Sequence, residues 1–154
     1  MDDVTFVPAL SYRDPKAALG WLAEAFGFEL TMAIDGPDDD PSQCHYEMAL
    51  DGRGRVMIGA EWGDWTRSPA SVDGYNTSSV HVAVTHDIDA HCERARAAGA
   101  RILVEPSDQF YGDRTYRCAD PEGHHWSFSM HVRDVTRAEA EAAIETPIYA
   151  PSWA

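Results

Sequence analysis

Apolar and polar residues alternate strictly from His125 to His131. Trp126, Phe128 and Met130 fall on one side of an extended chain, and His125, Ser127, Ser129 and His131 fall on the other. This is the pattern of a strand with one face in a core. A second strand of the kind runs through residues 44–50, where Cys44, Tyr46, Met48 and Leu50 alternate with His45 and Glu47. Elsewhere the period lengthens to that of a helix. After Asp14 and Pro15, an N-cap and a first-turn proline, Leu19, Leu22, Ala23 and Phe26 share one side, and Gly27 ends the run.

Taken in chain order, these patterns predict a strand over 4–12, a helix over 16–26 and strands over 28–35, 43–51 and 55–61. The last two are joined by the turn Asp51-Gly52-Arg53-Gly54. A strand over 79–86 follows, then a helix over 88–98 capped by Asp87 and stopped by Gly99. Strands over 101–106, 113–119 and 124–132 complete the set, with the turn Asp120-Pro121-Glu122-Gly123 before the last. Both halves read β-α-β-β-β, and Val7 to Gly27 spans 20 residues where His81 to Gly99 spans 18. An internal duplication follows: modules at 1–60 and 78–132, joined by a Gly/Pro/Ser-rich connector at 61–77 that carries Trp62 and Trp65. Residues 133–154 lie outside the repeat. There Thr136 and Glu139 form a capping box worth about 1 kcal/mol. It starts a tail helix whose weak stripe, Ile144, Ile148, Tyr149 and Trp153, needs its own domain or a second chain to rest on.

Composition narrows the function without naming it. The chain has 154 residues, 44% hydrophobic and 25% charged, so one domain with a real core is expected. Its 26 acids against 12 bases give a net charge of -14, which repels nucleic acid and anionic membranes and admits cationic ligands. No run has the length of about 20 apolar residues that a bilayer requires, and the start carries acids where a signal peptide carries bases. A cytoplasmic location is the expectation. Cys44, Cys92 and Cys118 are odd in number and widely spaced, which suits buried free thiols better than a disulfide framework or a zinc ribbon.

The two modules, the D-P-x-x-A start of the first helix, the A-F-G-F run at 25–28 and the D-P-E-G-H-x-W-x-F stretch at 120–128 resemble the glyoxalase / bleomycin-resistance / extradiol-dioxygenase superfamily, also called vicinal oxygen chelate proteins. The resemblance covers about residues 4–132. It implies an α+β fold in which two tandem βαβββ modules form a curled mixed sheet with a cup-like cavity, helices outside. Metal enzymes of that superfamily carry ligands in the first and fourth strands of each module. Those places hold Val7 and Gly59, then His81 and Ser127, and of these only His81 suits a divalent metal. A catalytic site takes about three protein ligands, so no metal and no other cofactor are expected.

The function implied is that of a bleomycin-resistance-like protein, a homodimer that sequesters a small aromatic or cationic molecule such as an antibiotic. His45, Glu47, His81, His125 and Ser127 are candidate contacts inside the cup. Trp62, Trp65 and Tyr111 are candidate stacking platforms at its rim. Arg114 either orients an anionic group of the ligand or pairs with Asp113 or Asp120. Two alternatives stand beside this reading. One is a metal-dependent lyase or dioxygenase using His81 with His45, Glu47 or His125; the other is a protein-interaction module with a vestigial cup.

Overall fold

The structure, a computed structural model, describes residues 4–153. The first module comprises β1 (Ala9–Tyr12), α1 (Pro15–Phe26), β2 (Glu29–Ile34), β3 (His45–Leu50) and β4 (Arg53–Ala60). The second comprises β5 (Ser79–Ala83), α2 (Ile88–Ala97), β6 (Arg101–Asp108), β7 (Asp113–Ala119) and β8 (His125–His131); α3 (Arg137–Ile144) follows. Each module makes its own four-stranded mixed sheet, ordered β1-β4-β3-β2 and β5-β8-β7-β6. In both, the opening strand runs parallel to the last and the remaining pairs are antiparallel. The expected α+β duplication is therefore present, with one sheet per module. The opening strand is shorter than predicted: Pro8 has no N–H for a ladder, and register with β4 begins at Ala9.

Alternation decides which face of each sheet meets a helix. Tyr46, Met48, Val56 and Ile58 of the first sheet and Tyr116, Cys118, Trp126 and Phe128 of the second are buried, together with Leu22, Ala25 and Phe26 of α1 and Ile88, Cys92 and Ala95 of α2. These side chains form one continuous apolar cluster across both modules. The two helices also finish each other. Arg94 of α2 donates from Nε and Nη2 to the carbonyls of Glu24 and Ala23 (2.7 and 2.9 Å), placing a cation at the negative end of α1. Trp21 of α1 donates its indole N–H to Ala98 O at 2.7 Å, just past the end of α2.

The Asp120-to-Trp126 stretch is the joint between modules. Asp120 is buried and accepts four hydrogen bonds: from the Tyr12 hydroxyl (2.6 Å), the Trp126 indole (3.1 Å) and the backbone N–H groups of Glu122 and His124 (3.1 and 3.0 Å). Glu122 accepts from the N–H groups of Arg13 and Asp14, at the start of α1, and from the Ser68 hydroxyl in the connector. His124 donates from Nε2 to Ser11 O at 2.8 Å. Burial, with the Asp120 charge beside it, pushes the Tyr12 phenol well above its usual value, so it stays a donor.

His91 on α2 bridges the modules a second time. Its Nε2–H donates to Phe26 O at 3.1 Å, which leaves Nδ1 to accept from the Tyr116 hydroxyl at 2.7 Å. Burial holds this imidazole below its ordinary value. The folded chain therefore keeps it neutral where the unfolded chain takes up a proton. Its contribution to stability is full above a pH of about 6.5 and is lost as pH falls through the folded value. His131, exposed between Asp134 and Asp113, is shifted upward and works in the opposite sense, contributing at low pH and losing that contribution as pH rises. Urea unfolding across roughly pH 5–7 is expected to show a loss of stability on acidification that becomes shallower in His91→Gln. An unchanged slope would show that His91 does not carry it.

The tail closes on itself. The predicted capping box forms, with Thr136 and Glu139 exchanging bonds, and Ala140 is fully buried. Trp153 donates its indole N–H to Val135 O at 2.8 Å, and the Ile148 N–H reaches Glu141. No helix among the described residues is long and apolar enough to cross a membrane.

Candidate functional site

The face of the first sheet turned away from α1 carries the polar row. Cross-strand partners share a side, so the pairs Ser11–Gly59, Ala9–Met57, Met57–Glu47 and His45–Ile34 lay one surface across all four strands. Above it the short 3-10 turn Pro41–Gln43 and the start of the connector rise as walls. Between them is a cleft of about 550 Å³ lined by Ser11, His45, Met57, Gly59 and Trp62 with Ser42, Gln43 and Cys44.

Trp62 is 59% exposed and Trp65 is 75% exposed, their rings edge to face at 5.2 Å and 89°. A side chain at Gly63 would strike the Trp65 ring at 2.9 Å, so glycine there permits the close turn that brings the two indoles together. Water covers much of both rings. Trp62 lines the cleft with Trp65 against it, which makes a ready stacking surface.

Glu47 sits on this face but is nearly covered, at 7% exposed. His45 Nε2 lies 3.3 Å and Arg55 Nη1 lies 3.4 Å from its two oxygens. The carboxylate is thus flanked by an imidazole and a guanidinium, and it presents little uncompensated negative charge to a cationic ligand. Arg55 was absent from the expected set, although stepping back by two from Gly59 through Met57 reaches it.

The matching face of the second sheet brings together His81, His125 and Ser127. His81 stands in register with Ser127 and Ser79 with His125; His81 Nε2 and Ser79 Oγ are 3.3 Å apart. These three candidates share one face, as their alternation predicts, and His45 with Glu47 shares the other sheet's.

Among the described residues no hydrogen bond or ion pair joins His45 and Glu47 to His81, His125 and Ser127. Among the described residues no group of three or more His, Cys, Asp or Glu side chains is close enough to hold a metal ion. The family ligand places fit a metal no better. Val7 lies ahead of β1, Gly59 pairs with Ser11, and Ser127 adds only a hydroxyl beside His81. Hydrocarbon and hydrogen supply no donor, and the residues present do not match a three-ligand centre.

Two expected site residues are placed elsewhere. Alternation along β7 puts Arg114 on the row of Tyr116 and Cys118, turned toward α2, where it pairs with Asp89 at 2.8 Å and Asp108 at 2.9 Å rather than with Asp113 or Asp120. It braces a helix start against a strand. Tyr111 lies in the β6–β7 turn, edge to face with Phe110 at 5.1 Å, and does not line the cleft beside Trp62.

The model of the Glyoxalase/Bleomycin resistance protein/Dioxygenase superfamily matches residues 6–128. The protein Rv0887c of Mycobacterium tuberculosis is 33% identical over 143 residues, covering 90% of this chain and 81% of that one. TioX from Micromonospora sp. ML1 is 33% identical, with a TM-score of 0.63 over 86% of this chain and 100% of its own. TnmS3, an antibiotic binding protein from Streptomyces sp. CB03234, shares the fold at 16% identity, with a TM-score of 0.64 over 85% of this chain and 99% of its own. With two β-α-β-β-β modules, each opening a strand face away from its helix, the chain belongs to the Glyoxalase/Bleomycin resistance protein/Dioxygenase superfamily.

Proposed function

We propose that this protein binds a small, flat aromatic molecule on the open face of its first sheet and holds it without metal chemistry, as a bleomycin-resistance-like binding protein. The observation that carries the reading is the exposed Trp62–Trp65 pair at a 550 Å³ cleft whose floor offers His45 and Ser11 as hydrogen-bonding groups. That volume suits a drug-sized ligand, for which pockets span about 300–1,000 Å³. A cationic ring system gains further from the indole faces. TnmS3, which shares the fold, is an antibiotic binding protein, and the same class of ligand is the natural one to try here.

A homodimer is part of the proposal. Every residue of the edge strand β2 is exposed, Met32 and Ile34 among them, and in register they extend the face that bears Glu47 and His45. An apolar edge of that length invites pairing, and a second copy laid over it would roof the cleft. Sedimentation equilibrium at micromolar concentration checks this: a monomer throughout removes the roof.

The ligand test is quenching of tryptophan emission by proflavine, a planar cation. Saturable quenching is expected, with affinity falling about tenfold in Trp62→Ala, close to 1.4 kcal/mol and within the range of an aromatic contact. Parent and Trp62→Ala chains that bind alike, or neither binding, would sink the reading.

A further inference from the structure

A second cavity, of about 330 Å³, lies at the seam where the β3–β4 hairpin and residues 4–8 meet β5. Its walls are apolar, with Phe28, Met48, Val56, Val80, Val82 and Trp126 among them. The Trp126 indole N–H is already given to Asp120, so this ring offers hydrocarbon only. Among the described residues, the polar side chains that line the cavity are Arg53, Arg55 and His81, besides the Trp126 indole. No carboxylate among the described residues lines it.

Arg55 is unlike the arginines that brace the fold. Arg96 meets Glu105 at 2.7 Å and Arg114 meets Asp89 at 2.8 Å, distances typical of charge-assisted bonds. The Arg55 contact with Glu47 is 3.4 Å, and its Nε is buried with no hydrogen-bond partner among the described residues. Buried donors are nearly always satisfied, and an orphan asks for an acceptor beyond the described residues, such as a water, an ion or a ligand oxygen. Arg53, one turn residue away, makes no ion pair among the described residues. The Arg55 side chain is 31% exposed and lines the cavity, and a guanidinium there suits a ligand carboxylate.

We infer that this seam is a second ligand site, separate from the Trp62 cleft, which takes a compact organic acid: its carboxylate on Arg55 and Arg53, its apolar body against Val80, Val82 and Trp126. The chain's net charge of -14 repels anions in general, so capture of an acid here reports the local site rather than nonspecific adsorption.

Calorimetric titration of the full chain with 1-naphthoate, with the neutral isostere 1-naphthamide and with 1-naphthylmethylammonium tests the inference. Naphthoate is expected to bind once per chain, at least tenfold tighter than the amide, and the ammonium compound not to bind at this site. Arg55→Gln should weaken naphthoate at least tenfold and Arg53→Gln severalfold, while Trp62→Ala leaves it unchanged. Equal affinity for acid and amide overturns the site, as does parent-like binding by Arg55→Gln or loss of binding in Trp62→Ala. Should Arg55→Gln not fold, the acid-to-amide ratios of the parent and Arg53→Gln chains decide, a ratio near one on the parent overturning the site. Proflavine binding at Trp62 is read separately, so either site fails or stands without the other.

Discussion

Asp120→Ala is expected to lower the unfolding free energy by about 3–5 kcal/mol, the range for removing one partner from a buried charged network. The carboxylate is 5% exposed, and its two oxygens serve four donors from three parts of the chain. Alanine leaves the Tyr12 hydroxyl and the Trp126 indole N–H facing a void with nothing to accept them. Asp120→Asn separates charge from geometry. Its oxygen can keep the two backbone N–H groups, and the Tyr12 hydroxyl can rotate to accept from the new amide, but the Trp126 N–H cannot accept and would meet another donor. Asparagine should therefore cost an intermediate amount, about 1–3 kcal/mol. For a chain of this size the alanine form should melt about 10 °C lower or more. Thermal and urea unfolding of the three chains decides it; an alanine form within about 1 kcal/mol of the parent would mean that the modules do not depend on this joint.

That joint also shows where the sequence could be read and where it could not. Local rules worked wherever one residue's conformation or one strand's alternation settled the outcome: the Asp14-Pro15 start of α1, the Asp87 cap of α2, the Thr136–Glu139 box, and the rows of Trp126 and Phe128 against His125 and Ser127. Long-range partners were not legible. Asp120 and Glu122 read as turn residues, yet their side chains reach back 108 and 109 positions to Tyr12 and Arg13, and no local pattern encodes such a span. Arg114 shows the same limit, since sequence proximity suggested Asp113 while the strand period turned the side chain toward Asp89. Period alone could have corrected that one, because Arg114 shares parity with Tyr116 and Cys118. His45 with Glu47, and His81 with His125, each share one face of a sheet but stand on different sheets, since alternation fixes a side of a strand and says nothing of how two sheets are set against each other.

Phe26→Ala is expected to cost about 3–5 kcal/mol, the usual range for removing a buried phenyl ring. Phe26 is 1% exposed at the end of α1, where the modules meet. Its ring centroid lies 4.7 Å from Phe128, 5.1 Å from Trp21, 5.4 Å from Trp126 and 5.5 Å from Phe28, so it touches both halves of the duplication. Two causes add: the transfer free energy of the ring and the cavity left among aromatic neighbours too rigid to collapse into it. Phe26→Leu refills most of the volume but gives up the edge and tilted contacts, and should cost about 1.5 kcal/mol. If the two sheets depended on each other only through Asp120, removing the Phe26 ring would loosen α1 alone, and urea transitions followed by tryptophan emission and by far-ultraviolet dichroism would separate. Because α1, α2 and β8 share this one ring, the transitions are expected to stay coincident while the midpoint falls. Two resolved transitions would show that each module carries its own core.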